Sequence, residues 1–151
     1  DITSGKAAVI VNDRIDVMLA TNATGVHLGL NDFSIHDART ICGDKYIVGA
    51  TVHSLKEAEE AAVAGADYFG IGAMFKSSTK DSEVKGIELL TEVHDAFPHI
   101  PQLAIGGVTP ENCGQLYAAC NCGIAVSSAI SHSQTPAHTC FELLNGVSID
   151  L

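Results

Sequence analysis

Trp is absent from the 151 residues, and Arg occurs only twice, as Arg14 and Arg39. Aromatic residues make up 5% of the chain. Eight Lys and Arg stand against 18 Asp and Glu, a formal charge of −10. So few cations exclude the basic face that nucleic-acid binding needs, and no nucleic-acid partner is expected. No apolar run reaches the ~18 residues of a membrane-spanning helix, so no membrane partner is expected either. A hydrophobic share of 46% excludes a disordered chain. The five cysteines are an odd number in a chain of this length, which does not fit a secreted disulfide framework. No signal-peptide pattern precedes the first apolar segment, although the sequence starts at Asp1 rather than Met. A reducing, cytoplasmic compartment is the expectation. Cys120 and Cys122 form a C-x-C, with Cys113 seven residues before Cys120. No second ligand pair stands at zinc spacing, so these cysteines read as small buried residues at a helix end and a strand.

Two kinds of segment alternate along the chain. Residues 7–11, 25–29, 46–51, 68–72, 102–106 and 123–127 are short, apolar and rich in Val and Ile. Continuous apolar runs bounded by Gly and polar residues suit buried parallel strands. Between them lie segments of helical period, over residues 13–21, 34–42, 54–66, 87–97 and 136–144, with a further one starting at 109–112. Ser54 with Glu57 forms a capping box, and Gly65 stops that helix. Thr109 followed by Pro110 marks another helix start. Strict alternation predicts a parallel α/β sheet in a single domain over residues 1–151. Polar or Gly residues follow every strand, which favours a (β/α)8 TIM barrel over an open sheet with one switch point. Six βα units are present where a barrel has eight.

Three groups of residues carry chemistry. Asn12 and Asp13 follow the first strand and Asp32 the second, so both carboxylates lie near one another at the same end of a parallel sheet. Two such carboxylates suit Mg2+, which takes few protein ligands and shares phosphate oxygens. The competing reading makes Asp13 a helix cap paired with Arg14, and Asp32 a turn residue. Ser77, Ser78, Thr79 and Lys80 lie in the long polar loop 76–85, and can wrap a phosphate through charge-assisted hydrogen bonds. Gly106, Gly107, Ser127 and Ser128 close the last two strands. Phosphate-binding barrels hold the anion at the loops after strands seven and eight. On that reading the six strands are strands 3–8, and the two units not represented are N-terminal. His27 and His53 read as structural residues, and Thr51 puts a hydroxyl at a strand end.

With these residues in place, the chain resembles the thiamine phosphate synthase family. The resemblance runs in order through residues 10–16, 25–29 with Asp32, 48–53, 65–68, 77–80, 104–112 and 127–130. It implies a (β/α)8 barrel that joins a hydroxymethylpyrimidine diphosphate to a thiazole phosphate, releasing pyrophosphate. It implies Mg2+ held by Asp13 and Asp32, and pyrimidine diphosphate contacts from Asn12, Thr51 and Lys80. Lys80 and Thr51 are the catalytic candidates. Ser77, Ser78, Thr79, Gly107, Ser127 and Ser128 match the thiazole phosphate site. The family usually has Ser at Thr51, Gln at Leu30, and Pro at Ala73 and Lys76. The Gln-x-Arg-x-Lys element of the second family strand has no counterpart in these 151 residues, so a homo-oligomer or a partner completing the barrel is expected. Two alternatives stand beside the synthase. One is a catalytically silent phosphate-binding relative. The other is a thiazole tautomerase-type enzyme, which uses a His where this chain has Ala73.

Overall fold

A computed structural model describes residues 5–76 and 83–146. Its six strands form one sheet in sequential order, and every registered pair is parallel. The expected α/β class is thus observed. Two compact units, residues 1–69 and 70–151, are taken in turn.

In the first unit, β1 (Ile10–Asn12), β2 (Gly25–Leu28) and β3 (Ile47–Val52) alternate with α1 (Ile15–Thr21), α2 (Ile35–Cys42) and α3 (Leu55–Val63). β4 (Tyr68–Ile71) begins at the end of this unit. Ile10 pairs with Gly25, and His27 with Gly49. Met18, Val26, Ala38 and Val48 are fully excluded from solvent at the centre of this unit's core. Helix starts follow local chemistry: Ser34 Oγ accepts the Asp37 N–H, and Ser54 Oγ accepts the Glu57 N–H. The Glu57 carboxylate returns to the His53 N–H at 2.7 Å. Gly65, at φ +93°, ends α3 as its sequence position predicts.

Two boundaries beside the first strand end differ from the sequence reading. The first strand spans Ile10–Asn12 rather than residues 7–11, and Ala7 and Ala8 stay exposed outside it. The first helix starts at Ile15 rather than residue 13, because Asp13 adopts a left-handed φ of +64°. Its N–H is spent on the His27 carbonyl at 2.8 Å, an extension of sheet bonding and not a helix cap.

In the second unit, α4 (Gly86–Ala96), β5 (Gln102–Ile105), α5 (Pro110–Ala119) and β6 (Gly123–Ala125) precede α6 (Ser128–Ser131) and α7 (Pro136–Asn145). Leu90, Val93, Ala104, Cys113 and Leu116 are fully buried here. Gln102, polar and 3% exposed, has its whole amide occupied. Its Oε1 accepts from His94 Nδ1, and its Nε2 donates to the Phe97 and Ile100 carbonyls. Buried amides carry no net penalty when so paired. Thr109 and Pro110 open α5 as expected, with the Thr109 N–H donating to Asn112 Oδ1 at 2.8 Å. The last strand ends at Ala125, two residues before the predicted end, because Ser127 turns to cap α6.

All five cysteines are free. Cys113 is buried, and Cys120 and Cys122 are half-buried. Burial is the main force pushing the Cys122 thiol up to about 12. Among the described residues no group of three or more His, Cys, Asp or Glu side chains is arranged to hold a metal.

Candidate functional site

Asn12, Asp13, His27, Asp32 and Thr51 all sit where the strands of the first unit end. The β1 strand delivers Asn12 and Asp13, and β2 delivers Gly29 followed by the turn to Asp32. Gly29 donates its N–H to Asp32 Oδ2 at 2.7 Å, which fixes that carboxylate against the strand end. The two carboxyls do meet. Asp13 is raised above the usual carboxylate range, first by the hydrogen bond it shares with Asp32, then by burial and by the Asp32 charge. A hydrogen bond from Asn12 and the nearby His27 pull the other way. Arg14 does not neutralise the pair: its guanidinium binds Asp16, at 2.8 Å through Nε. The cap-and-pair reading of Asp13 with Arg14 is therefore overturned.

Two neighbouring carboxyls repel one another when both are ionised, and form a donor set that a cation would relieve. With only two side-chain ligands, the pair suits a hard cation that completes its shell with water and phosphate oxygens, which describes Mg2+. Among the described residues no third carboxylate or imidazole is arranged with them to make a closed protein cage.

Beside the pair runs a chain of side chains that sequence reading did not connect. His27 Nδ1 lies 2.9 Å from the Tyr68 hydroxyl, and His27 Nε2 lies 2.8 Å from Thr51 Oγ1. The His27 and Tyr68 rings stack with centroids 5.4 Å apart. Gly49 makes this possible. It pairs with His27 across β2 and β3, and a Cβ there would fall 2.2 Å from Tyr68 Cζ. Burial lowers the His27 pKa more than the Asp13 and Asp32 charges raise it, and burial raises that of Tyr68. A cavity of about 320 Å3 opens next to Thr51 and Asp32, walled by Leu28, Leu30, Phe33 and Ala50 among others.

In the second unit, Gly106 and Gly107 take φ values of +95° and +68° after β5. A Cβ on Gly107 would lie 2.6 Å from the Phe75 carbonyl oxygen, so the backbone passes too close for any side chain. Asn112 Nδ2 donates to the Gly107 carbonyl at 2.9 Å and pins the turn to α5. Ser127 and Ser128 stand at the start of α6, where Ser127 O accepts the N–H groups of Ile130 and Ser131. Ser77, Ser78, Thr79 and Lys80 lie outside the described residues. Sequence reading set His27 aside as structural and did not single out Tyr68, and the structure places the two in contact. The available signal was Gly49, a glycine inside a strand, which marks a close approach.

A family model described as thiamine monophosphate synthase matches residues 2–130. A thiamine-phosphate synthase of Methanosarcina mazei is 47% identical over 114 residues, 74% of this chain and 47% of the relative. One from Natronomonas pharaonis is 40% identical over 143 residues, 92% of this chain and 66% of the relative. The chain thus spans between about half and two thirds of these curated relatives. Among solved structures, a thiamine phosphate pyrophosphorylase from Pyrococcus furiosus superposes with a TM-score of 0.87 at 38% identity, covering 96% of this chain and 70% of that one.

Proposed function

Because the chain belongs to the thiamine monophosphate synthase family, we propose that it forms thiamine phosphate from a hydroxymethylpyrimidine diphosphate and a thiazole phosphate. The observation that carries this reading is the meeting of Asp13 with Asp32 at the ends of consecutive parallel strands. The pair fits Mg2+, which would stabilise the charge of the departing pyrophosphate. Asn12 and Thr51 stand beside the pair and would hold the pyrimidine diphosphate. Lys80 would place a cation against the same diphosphate, and an acidic chain has few other cations to offer. An electron-rich aminopyrimidine can carry the positive charge left when pyrophosphate departs. The protein's part is then to stabilise the leaving group and to hold the thiazole nitrogen near the reacting carbon. Gly107, Ser127 and Ser128, with Ser77, Ser78 and Thr79, would receive the thiazole phosphate. The positive φ of Gly107 supports this, since it is a conformation that turns backbone N–H groups toward an anion.

The six strands would correspond to strands 3–8 of an eight-stranded barrel, as one domain. The other strands would be supplied by further sequence, a second copy or a partner. The free state of all five cysteines supports a reducing compartment such as the cytoplasm. Among the described residues no helix is long and apolar enough to cross a membrane. A tautomerase reading finds no base at Ala73, which is a buried methyl.

The test is a coupling assay on the full-length gene product with both phosphorylated substrates and Mg2+. Stoichiometric release of pyrophosphate with thiamine phosphate is expected. Absence of both products from a folded protein overturns the reading.

A further inference from the structure

Tyr68 and His27 have no role in the activity proposed above, yet the chain they form ends on Thr51, the residue assigned to the diphosphate. A Thr hydroxyl has one proton to give. If Thr51 gives it to His27, it meets the diphosphate only as an acceptor, and an anion rejects it. If Thr51 accepts from His27, its proton is free for the anion. The direction of one hydrogen bond therefore decides whether Thr51 attracts or repels the leaving group.

Both ring nitrogens of His27 face hydroxyls, so the proton of one hydroxyl sets the direction of the other bond. The side chains within reach of His27 Nδ1 and Nε2 are the Tyr68 and Thr51 hydroxyls, at 2.9 and 2.8 Å. Tyr68 is a half-buried phenol with a proton to donate. When the Tyr68 O–H donates to Nδ1, the imidazole proton sits on Nε2 and points at Thr51 Oγ1. Each donor then polarises the next, and all three dipoles point toward the developing negative charge. Stacking of the two rings, made possible by the missing side chain at Gly49, holds the chain in place.

We propose that His27 and Tyr68 are positioning residues that fix the Thr51 hydroxyl as a donor to the diphosphate, with Tyr68 selecting the Nε2–H form of His27. This inference rests on the synthase reading for its substrate, but the protonation of His27 can be read without turnover.

The experiment has two arms, both on the full-length protein. In the first, 15N-labelled imidazole shifts of the resting protein report the proton on His27. A protonated Nε2 is expected, with its share falling in Tyr68→Phe. An unprotonated Nε2 in the wild type overturns the proposal. In the second arm, kcat and KM for the pyrimidine diphosphate are measured for His27→Ala, His27→Gln, Tyr68→Phe, Thr51→Ala and the double variant His27→Ala/Thr51→Ala. His27→Ala should lower kcat by roughly 10- to 100-fold while KM moves by less than about threefold, the mark of a contact made in the transition state. His27→Gln keeps an N–H near the Nε2 position and should recover most of that loss. The double variant should match Thr51→Ala within about twofold, since His27 acts only through that hydroxyl. Losses that multiply in the double variant, or fall on KM alone, overturn the proposal. A wild type that carries the Nε2 proton but makes no product refutes the synthase reading and the catalytic role built on it, while the hydrogen-bond direction stands.

Discussion

Arg39 and Asp67, 28 residues apart, hold opposite sides of one connection in the first unit. The Arg39 guanidinium donates to the Asp67 carboxylate and to the carbonyls of Gly65, Gly43 and Tyr46. Asp67 in turn accepts the Val48 N–H at 2.7 Å. The turn after α3 and the end of α2 are thereby tied to the start of β3. Arg39→Met should cost about 2–3 kcal/mol, chiefly through three backbone carbonyls left with poorer partners. Asp67→Asn should cost less, about 1 kcal/mol, because Asp67 is half exposed and its charge is screened. Urea unfolding of the two variants checks the order. Equal losses would show that the ion pair, and not the carbonyl contacts, dominates.

The carboxyl pair makes stability depend on pH in a definite sense. Asp13 is raised from 3.8, so the folded protein holds that proton more tightly than the unfolded chain. Stability from this group is present at low pH and is lost as pH rises above the ordinary carboxyl value. Melting temperatures of wild type and Asp13→Asn should therefore diverge as pH rises above the ordinary carboxyl value, with the wild type losing ground. Adding Mg2+ should restore the wild type at the upper end and leave Asp13→Asn unmoved. A parallel pH dependence in the two proteins would remove the pair from consideration.

Cys122 should be chemically quiet. With its thiol pushed up to about 12, the thiolate fraction at about pH 8 is on the order of 10⁻⁴. Alkylation by iodoacetamide, followed by mass spectrometry of the native protein, should leave Cys122 at least ~100-fold slower than a free thiol. Rapid labelling would mean that the site opens or that a cation sits beside it.

Asn112 serves both a helix start and a turn, donating to the Gly107 carbonyl and accepting from the Thr109 N–H. Asn112→Ala should cost about 1 kcal/mol of stability. Gly107→Ala should cost about 1–3 kcal/mol, because the added methyl meets the Phe75 carbonyl and φ is unfavourable for it. If the turn receives the thiazole phosphate, both variants also raise KM for that substrate and not for the pyrimidine. Thermal melts with the two KM values separate the effects.

Local chemistry was readable from the sequence wherever one residue decides an outcome. Ser54, Gly65, Thr109 and Pro110 mark their helix ends as read. The approach of Asp13 to Asp32 was also legible, because residues following neighbouring parallel strands must share an end of the sheet. The Tyr68–His27 contact joins residues 41 apart across an intervening strand. No periodicity encodes such a pairing, and it depends on which rings fit over Gly49. The start of α1 was misplaced for a similar reason. The bond from Asp13 to the His27 carbonyl comes from the neighbouring strand and outweighs the helical pattern of the residues themselves.

The left-handed backbone at Asp13 also decides which variants can be interpreted. Only Gly, Asn and Asp adopt φ near +64° readily. Ala at this position removes the carboxylate and also strains the chain where β1 turns into α1, so its phenotype mixes two causes. Asn keeps the turn and removes the charge. Sequence drift at position 13 is therefore confined to three residues, of which only Asp brings a negative charge, so an ancestral loss of the carboxylate should leave Asn or Gly as its trace.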